Sequence, residues 1–174
     1  MSTTEITETT VRRRMTAAGA DPSWRTWGLV GLLCLTAYST AVGWLAQIVV
    51  YPLFREMPAD VFAGYHRAYN RFIPAPVIGP GFVTFLAAIA FWWTRPGWVS
   101  RRAAAVVAVT GAVSIATTVL WAIPKHDQLD RDGQAGATID SLLQANLLRT
   151  TALTVGTLTL GWHVGRRLAR GAGG

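Results

Sequence analysis

The sequence has few charged residues and almost no cysteine, and both shortages exclude large classes of protein. Charged residues make up 14% of the 174 residues, whereas a soluble domain usually carries about 25%. The only cysteine, Cys34, cannot form an intramolecular disulfide, and there is no C-x-x-C pair for thiol redox chemistry or zinc binding. A phosphate-binding loop and a nucleophile elbow are also missing. The chain therefore lacks the sequence signatures of the common soluble enzymes.

Apolar residues are abundant instead, and they form four long runs. Hydrophobic residues make up 51% of the chain. The runs are residues 27–50, 73–93, 103–123 and 142–164. Each exceeds the roughly 18 residues that indicate a membrane-spanning helix. The sequence therefore predicts an all-α bundle of four transmembrane helices, with a membrane domain over residues 27–165.

The net charge of +7 lies beside these runs, so nucleic acid is not an expected partner. Ten of the 16 basic residues precede the first run, separate the second from the third, or follow the fourth. Because cytoplasmic loops are enriched in Lys and Arg, both termini are predicted to be cytoplasmic. We expect an integral protein of a bacterial plasma membrane. A disordered tail is predicted over residues 1–26 and a basic cytoplasmic tail over residues 166–174.

A short amphipathic helix is predicted in the outer loop between the first two runs. Apolar residues recur there at helical spacing from residue 61 to residue 72. Pro58 suits the start of this helix and Pro74 its end. His66 lies at the edge of the apolar face, where it either points into the bundle mouth or contacts the headgroup region. Pro80 lies deep enough in the second run to kink or delay its helix.

Polar residues collect at the outer ends of the predicted spans. Asn146 and Arg149 are three residues apart, so they share a helix face near the start of the fourth run. An arginine inside an apolar run usually faces a polar cavity or a partner, although its side chain can also reach the membrane surface. A polar loop carrying His126 and Asp127 is predicted after Pro124. The candidate substrate-binding residues at this level are Gln47, Tyr51, Tyr69 and Trp121.

These residue types suit chemistry on a lipid-soluble substrate. Histidine can move protons near neutral pH, arginine can hold a phenolate, enolate or carboxylate oxygen, and asparagine can bind a carbonyl. The candidate catalytic residues are therefore His66, His126, Asn146 and Arg149. A metal set of His66, His126 and Asp127 is the competing interpretation. We expect no cofactor, and a transition metal under that alternative.

Four segments resemble the anthrone-oxygenase-like family of small four-helix membrane proteins. They are Q-I-V-V-Y-P-L-F (47–54), F-A-G-Y-H-R-A-Y-N-R-F-I (62–73), P-K-H-D-Q-L (124–129) and N-L-L-R-T (146–150), and the resemblance covers about residues 28–165. It implies a membrane monooxygenase of secondary metabolism that oxidises a hydrophobic, anthrone-type or polyketide-like substrate with O2 and no obvious organic cofactor. By motif position it points to His66, His126, Asn146 and Arg149. Where the family often has a second histidine, this chain has Tyr69, which weakens the metal interpretation.

A second class of function stays open from the sequence. In a non-catalytic partner subunit, transporter component or lipid-binding protein, Asn146 and Arg149 would bond only to neighbouring helices. The spans contain few ionisable groups and no evident repeat, which argues against a proton-coupled transporter. Either class is compatible with a homo-oligomer.

Overall fold

The computed structural model describes residues 23–172, which form helices and no β-strand. The α-helices are α1 (Ser23–Leu45), α2 (Tyr51–Glu56), α3 (Ala59–Phe72), α4 (Gly79–Thr94), α5 (Arg101–Thr117), α6 (Ile123–Asp132) and α7 (Gly136–Gly171). Three π-helical turns, π1 (Ala46–Val50), π2 (Pro74–Ile78) and π3 (Thr118–Ala122), connect α1 to α2, α3 to α4 and α5 to α6. The predicted all-helical architecture is therefore confirmed.

Each π turn ends two residues before a proline, and the backbone explains why. The residue directly before Pro52, Pro80 or Pro124 donates its N–H to the carbonyl five residues earlier instead of four. Proline has no N–H to donate, and in a regular helix its ring clashes with the carbonyl four residues earlier. The wider π turn moves that carbonyl aside. The helix therefore continues through each proline.

The prediction of a polar loop after Pro124 is wrong, because the helix continues through this proline. α6 carries the helix on to Asp132 and ends at Gly133, whose φ is 79°. A positive φ is a conformation that glycine adopts without steric cost. His126 and Asp130, which are four residues apart, consequently lie on one face of a rigid helix.

Three continuous helical stretches are long and apolar enough to cross a membrane, which indicates a membrane protein. They are Ser23–Glu56, Pro74–Thr94 and Arg101–Asp132, and they cover the first three predicted runs except for residue 73. The fourth run lies within α7, a helix of 36 residues. Helix α7 is not among these stretches, since Arg149 and its many threonines dilute its apolarity.

The long helices pack antiparallel around two apolar cores. α7 contacts both α1 and α5, and α4 also contacts those two helices. Core 1 consists of Leu29, Leu32, Ala88, Phe91, Val99, Ala103, Ala104, Val107 and Leu160. Core 2, toward the opposite end, consists of Ala46, Tyr51, Phe54, Phe62, Ala122, Leu129, Ile139, Leu142 and Ala145. Between the cores Gly43 approaches α7 so closely that an added Cβ would overlap Thr150.

The predicted amphipathic helix is present as α3, which contacts α6 at the edge of core 2. It begins directly after Pro58 and ends before Pro74. Its inward face carries Phe62 and His66, both 0% exposed. His66 therefore points into the protein, and its interpretation as a headgroup-contacting histidine is wrong.

The predicted tails lie only partly within the described residues. Of the N-terminal tail, residues 1–22 lie outside the described part of the chain, and the four residues that follow form the first turn of α1. Of the C-terminal tail, the residues as far as Gly171 are helical and belong to α7. The basic residues in that segment are arginines, which are good helix formers.

Candidate functional site

A cluster of polar side chains lies beside core 2, where helices from four parts of the chain converge. We call this the polar cluster. Its members are Gln47, Tyr51, His66, Tyr69, Asn70, His126, Asp130, Asn146 and Arg149. Four of them, Tyr51, His66, Asn146 and Arg149, are buried, and the other five are partly buried, with the Asp130 side chain 27% exposed. Such groups are stable in an apolar interior only if they are hydrogen-bonded to one another.

His66 of α3 and His126 of α6 meet through their ring nitrogens. Nε2 of His66 lies 3.0 Å from Nδ1 of His126. The ring planes are inclined by 20° and the ring centroids are 5.2 Å apart. Because the centroids are much farther apart than the two nitrogens, the rings lie end to end. This is the arrangement of a nearly linear N–H···N hydrogen bond.

Asp130 completes the histidine pair at its surface end. One carboxylate oxygen lies 2.7 Å from Nδ1 of His66, and the other accepts a hydrogen bond of 2.7 Å from the side-chain amide of Asn70. Asn70 lies one helical turn after His66, and Asp130 one turn after His126. The two pairs therefore face each other across the contact between α3 and α6.

Tyr51 connects the histidines to the interior of the bundle. Its hydroxyl oxygen lies 3.4 Å from Nε2 of His126 and also interacts with Tyr69 and Arg149. Burial raises the pKa of the Tyr69 phenol above its ordinary value. The phenol of Tyr69 therefore stays protonated and acts as a neutral hydrogen-bond donor near neutral pH.

Arg149 and Asn146 form the deepest part of the polar cluster. The Arg149 guanidinium donates to the Asn146 side-chain oxygen. The Asn146 amide donates to the Gln47 side-chain oxygen at 2.8 Å and to the Gly43 carbonyl at 3.0 Å. Arg149 is 8% exposed, and no ion pair joins it to a carboxylate among residues 23–172. A buried cation is normally paired, so this guanidinium is suited to an anionic ligand.

Two cavities adjoin the polar cluster. A cavity of about 20 Å³ lies against Arg149, between α1, π2 and α5, and has room for about one water molecule. An open groove of about 310 Å³ lies on the outer side of π2 and is lined by Tyr65, Ala68, Tyr69, Phe72, Ile73 and Pro76. Pro76 lines both spaces. The π2 turn therefore separates the groove from Arg149.

The structure brings together most of the residues that the sequence singled out. Gln47, Tyr51, His66, Tyr69, His126, Asn146 and Arg149 all belong to the polar cluster. Trp121 does not, because it packs on core 2 and donates its indole N–H to the Ser141 hydroxyl at 2.9 Å. Helical spacing could have found Asn70, which lies four residues after His66 in the predicted amphipathic helix. Asp130 lies four residues after His126, but the sequence predicts a loop there.

The proposed metal set of His66, His126 and Asp127 is not assembled. Asp127 is exposed on α6, and the carboxylate that meets His66 belongs to Asp130. Both nitrogens of His66 are already engaged, one by Asp130 and the other by His126. Accordingly, the described residues contain no group of three or more His, Cys, Asp or Glu side chains arranged to hold a metal ion.

Comparisons with protein-family models, curated proteins and solved structures gave no match. The resemblance to anthrone-oxygenase-like proteins therefore stays a prediction.

Proposed function

We propose that this protein is a membrane-embedded oxygenase for a lipid-soluble aromatic substrate, with the polar cluster as its active site. The observation that carries the proposal is that the Tyr51 hydroxyl interacts both with Nε2 of His126 and with the guanidinium of Arg149. A base on one side and an unpaired cation on the other suit removal of a proton and stabilisation of the oxyanion that results.

The proposed substrate carries a phenolic or ketonic oxygen, as an anthrone does. His126 accepts a proton from the substrate, and Arg149 holds the enolate or phenolate oxygen. The electron-rich anion then reduces O2. In the net reaction a ring methylene gains one oxygen atom as a carbonyl, and its two hydrogens leave with the second oxygen atom as water. The bond-making electrons come from the substrate, so no separate reductant is required.

Substrate access requires π2 to move. The cavity at Arg149 is too small for an aromatic ring system, whereas the groove outside π2 has the size of a small-molecule site. Exposed aromatic side chains of α3, Tyr65 and Phe72, line that groove. The substrate would first bind there from the lipid and would then displace π2 to reach Arg149.

We further infer that α7 crosses the membrane as a fourth helix. It packs against α1 and α5, which belong to two of the three apolar stretches. Its polar residues Asn146 and Arg149 are buried among these helices, while Leu147, Leu148 and Leu158 are exposed. This division is what a spanning helix needs, because lipid accepts the leucines and neighbouring helices shield the arginine.

A non-catalytic role is the second candidate, and the bonding of Asn146 favours it. Asn146 is satisfied within the bundle by Gly43, Gln47 and Arg149. Interhelical hydrogen bonds of this kind also stabilise membrane proteins that have no active site. In that case Arg149 would be a structural member of the same set.

Substitutions of Arg149 distinguish these roles. We expect Arg149→Leu to fold and to lose about 100-fold or more of its activity, as removal of an oxyanion donor does. Arg149→Lys should also be impaired, because lysine lacks the planar two-pronged donor. Product formation from an anthrone with O2 and melting temperature in detergent would be measured on the same samples, with the exposed Arg131→Leu as the matched control.

The outcomes separate the interpretations. Loss of folded protein together with activity would support a structural Arg149. An Arg149→Lys variant with nearly unchanged activity and melting temperature would mean that the side chain only extends to the membrane surface. Full activity in Arg149→Leu would refute the assignment of the site.

A further inference from the structure

The hydrogen bonds of the histidine pair determine which ring nitrogens carry protons. An ionised carboxylate can only accept hydrogen bonds, so Nδ1 of His66 carries the proton that it donates to Asp130. In a neutral His66, Nε2 is then unprotonated and accepts a hydrogen bond from Nδ1–H of His126. Nε2 of His126 is consequently left with a free lone pair, and this nitrogen faces the Tyr51 hydroxyl.

We propose that Asp130, held by Asn70, is a positioning residue that sets the tautomers of both histidines, so that Nε2 of His126 is the base of the site. The Asp130 carboxylate is hydrogen-bonded to His66 and Asn70, and it acts on Tyr51 through the two imidazole rings. Its side chain is 27% exposed, so a substitution there leaves core 2 intact. The role in catalysis rests on the proposed function, whereas the tautomers themselves do not.

Replacement of Asp130 by asparagine should reverse the tautomers of both histidines. The Asn70 amide donates to position 130, so the oxygen of the new amide would turn toward Asn70. Its nitrogen would then donate to Nδ1 of His66. His66 would have to carry its proton on Nε2 and donate it to Nδ1 of His126. His126 would therefore be protonated at Nε2 and could no longer accept a proton there.

Nitrogen-15 NMR of ring-labelled histidines in detergent measures this directly. In the wild-type protein we expect His66 and His126 both to carry their protons on Nδ1, and in Asp130→Asn both on Nε2. His163 is an internal reference, because its Nδ1 is 2.9 Å from the Thr159 carbonyl and is outside the polar cluster. Signals would be assigned with His66→Gln and His126→Gln.

An exchange of the two side chains provides the rescue. In the double variant Asn70→Asp, Asp130→Asn the carboxylate moves to position 70, whose side chain already lies 3.5 Å from Nδ1 of His66. This variant should restore the wild-type tautomers and at least part of the activity lost in Asp130→Asn. The matched control is Asp132→Asn, at an exposed position at the end of the same helix. It should change neither the histidine tautomers nor the activity.

Several results would overturn the proposal. One is a wild-type His126 protonated on Nε2, and another is an Asp130→Asn variant with unchanged tautomers or full activity. Failure of the exchange variant to restore the tautomers would also refute it. If the wild-type protein oxidises no anthrone, the proposed function fails, but the NMR result still decides whether Asp130 sets the tautomers.

Discussion

Thr150 of α7 packs against Gly43 of α1 with its hydroxyl buried in the contact. Its side chain is fully buried, and its hydroxyl has no hydrogen-bond partner within the described part of the chain. An unpaired buried hydroxyl costs about 1–3 kcal/mol. Thr150→Val preserves the shape of the side chain and removes that hydroxyl. We therefore expect it to keep or raise the melting temperature in detergent.

Asn146→Leu is the contrasting substitution on the same helix. It has similar bulk, but it leaves Gln47, the Gly43 carbonyl and Arg149 without the partners they have now. Because stranded buried polar groups are costly, we expect a clearly lower melting temperature. A stable Asn146→Leu together with an unstable Thr150→Val would contradict the hydrogen bonding described here.

Sequence spacing predicted part of the candidate site because a helix repeats its faces every three or four residues. Asn146 and Arg149 lie inside one apolar run, so their shared face followed directly from their positions. Asp130 lies beyond Pro124, where the sequence predicts a loop and points instead to Asp127, which is exposed. The contact between His66 and His126 depends on how α3 docks against α6, and spacing along one chain segment carries no such information.

At the scale of elements, the three π turns share one construction. Each is five residues long, and each is followed by a proline at the same offset. They also lie around the polar cluster. π1 contains Gln47 and π2 contains Pro76, which lines the cavity at Arg149. π3 contains Thr118, whose hydroxyl oxygen lies 3.5 Å from Nη1 of Arg149. π-helical turns are frequent at functional sites. A proline inside an apolar run commonly indicates a kink or an end, so the continuous helices were not predictable from the prolines alone.

This construction predicts that π3 and Pro124 depend on each other. Leu120 lies in π3 and is 77% exposed, so its deletion removes one residue from the wide turn without opening core 2. The tighter helix would bring the Pro124 ring against the carbonyl four residues earlier, a clash that costs roughly 3 kcal/mol or more. We expect the deletion to lower the melting temperature in detergent.

Adding Pro124→Ala to the Leu120 deletion should restore most of the lost stability, because alanine supplies an N–H and removes the ring. Pro124→Ala alone is the control and should have a small effect. If the variant with the deletion alone is as stable as the wild-type protein, the helix does not need the π turn to accommodate Pro124.

At the scale of the whole molecule, the two ends differ in composition. Near core 1 arginines stack over tryptophans, with Arg166 5.6 Å from the Trp162 ring centroid and Arg167 5.8 Å from that of Trp98. The other end carries α3, the polar cluster and an ion pair between Arg55 and Asp140. The long apolar runs were predictable because lipid sets their length. The partly polar α7 is harder to classify, because its burial against α1 and α5 appears only in the packed structure.

This asymmetry predicts the orientation of the protein, which single cysteines can test in a Cys34→Ala background. We expect a membrane-impermeant maleimide to label Asp60→Cys and Asp132→Cys on intact cells and Gly97→Cys only after lysis, because the arginine-rich end should be cytoplasmic. Labelling of Gly97→Cys alone on intact cells would show the opposite orientation, with the polar cluster on the cytoplasmic side. Positions 60 and 132 should behave alike in either orientation, because α3 and α6 are joined by the 3.0 Å contact between His66 and His126. Labelling of only one of these two positions would therefore contradict the histidine pair itself.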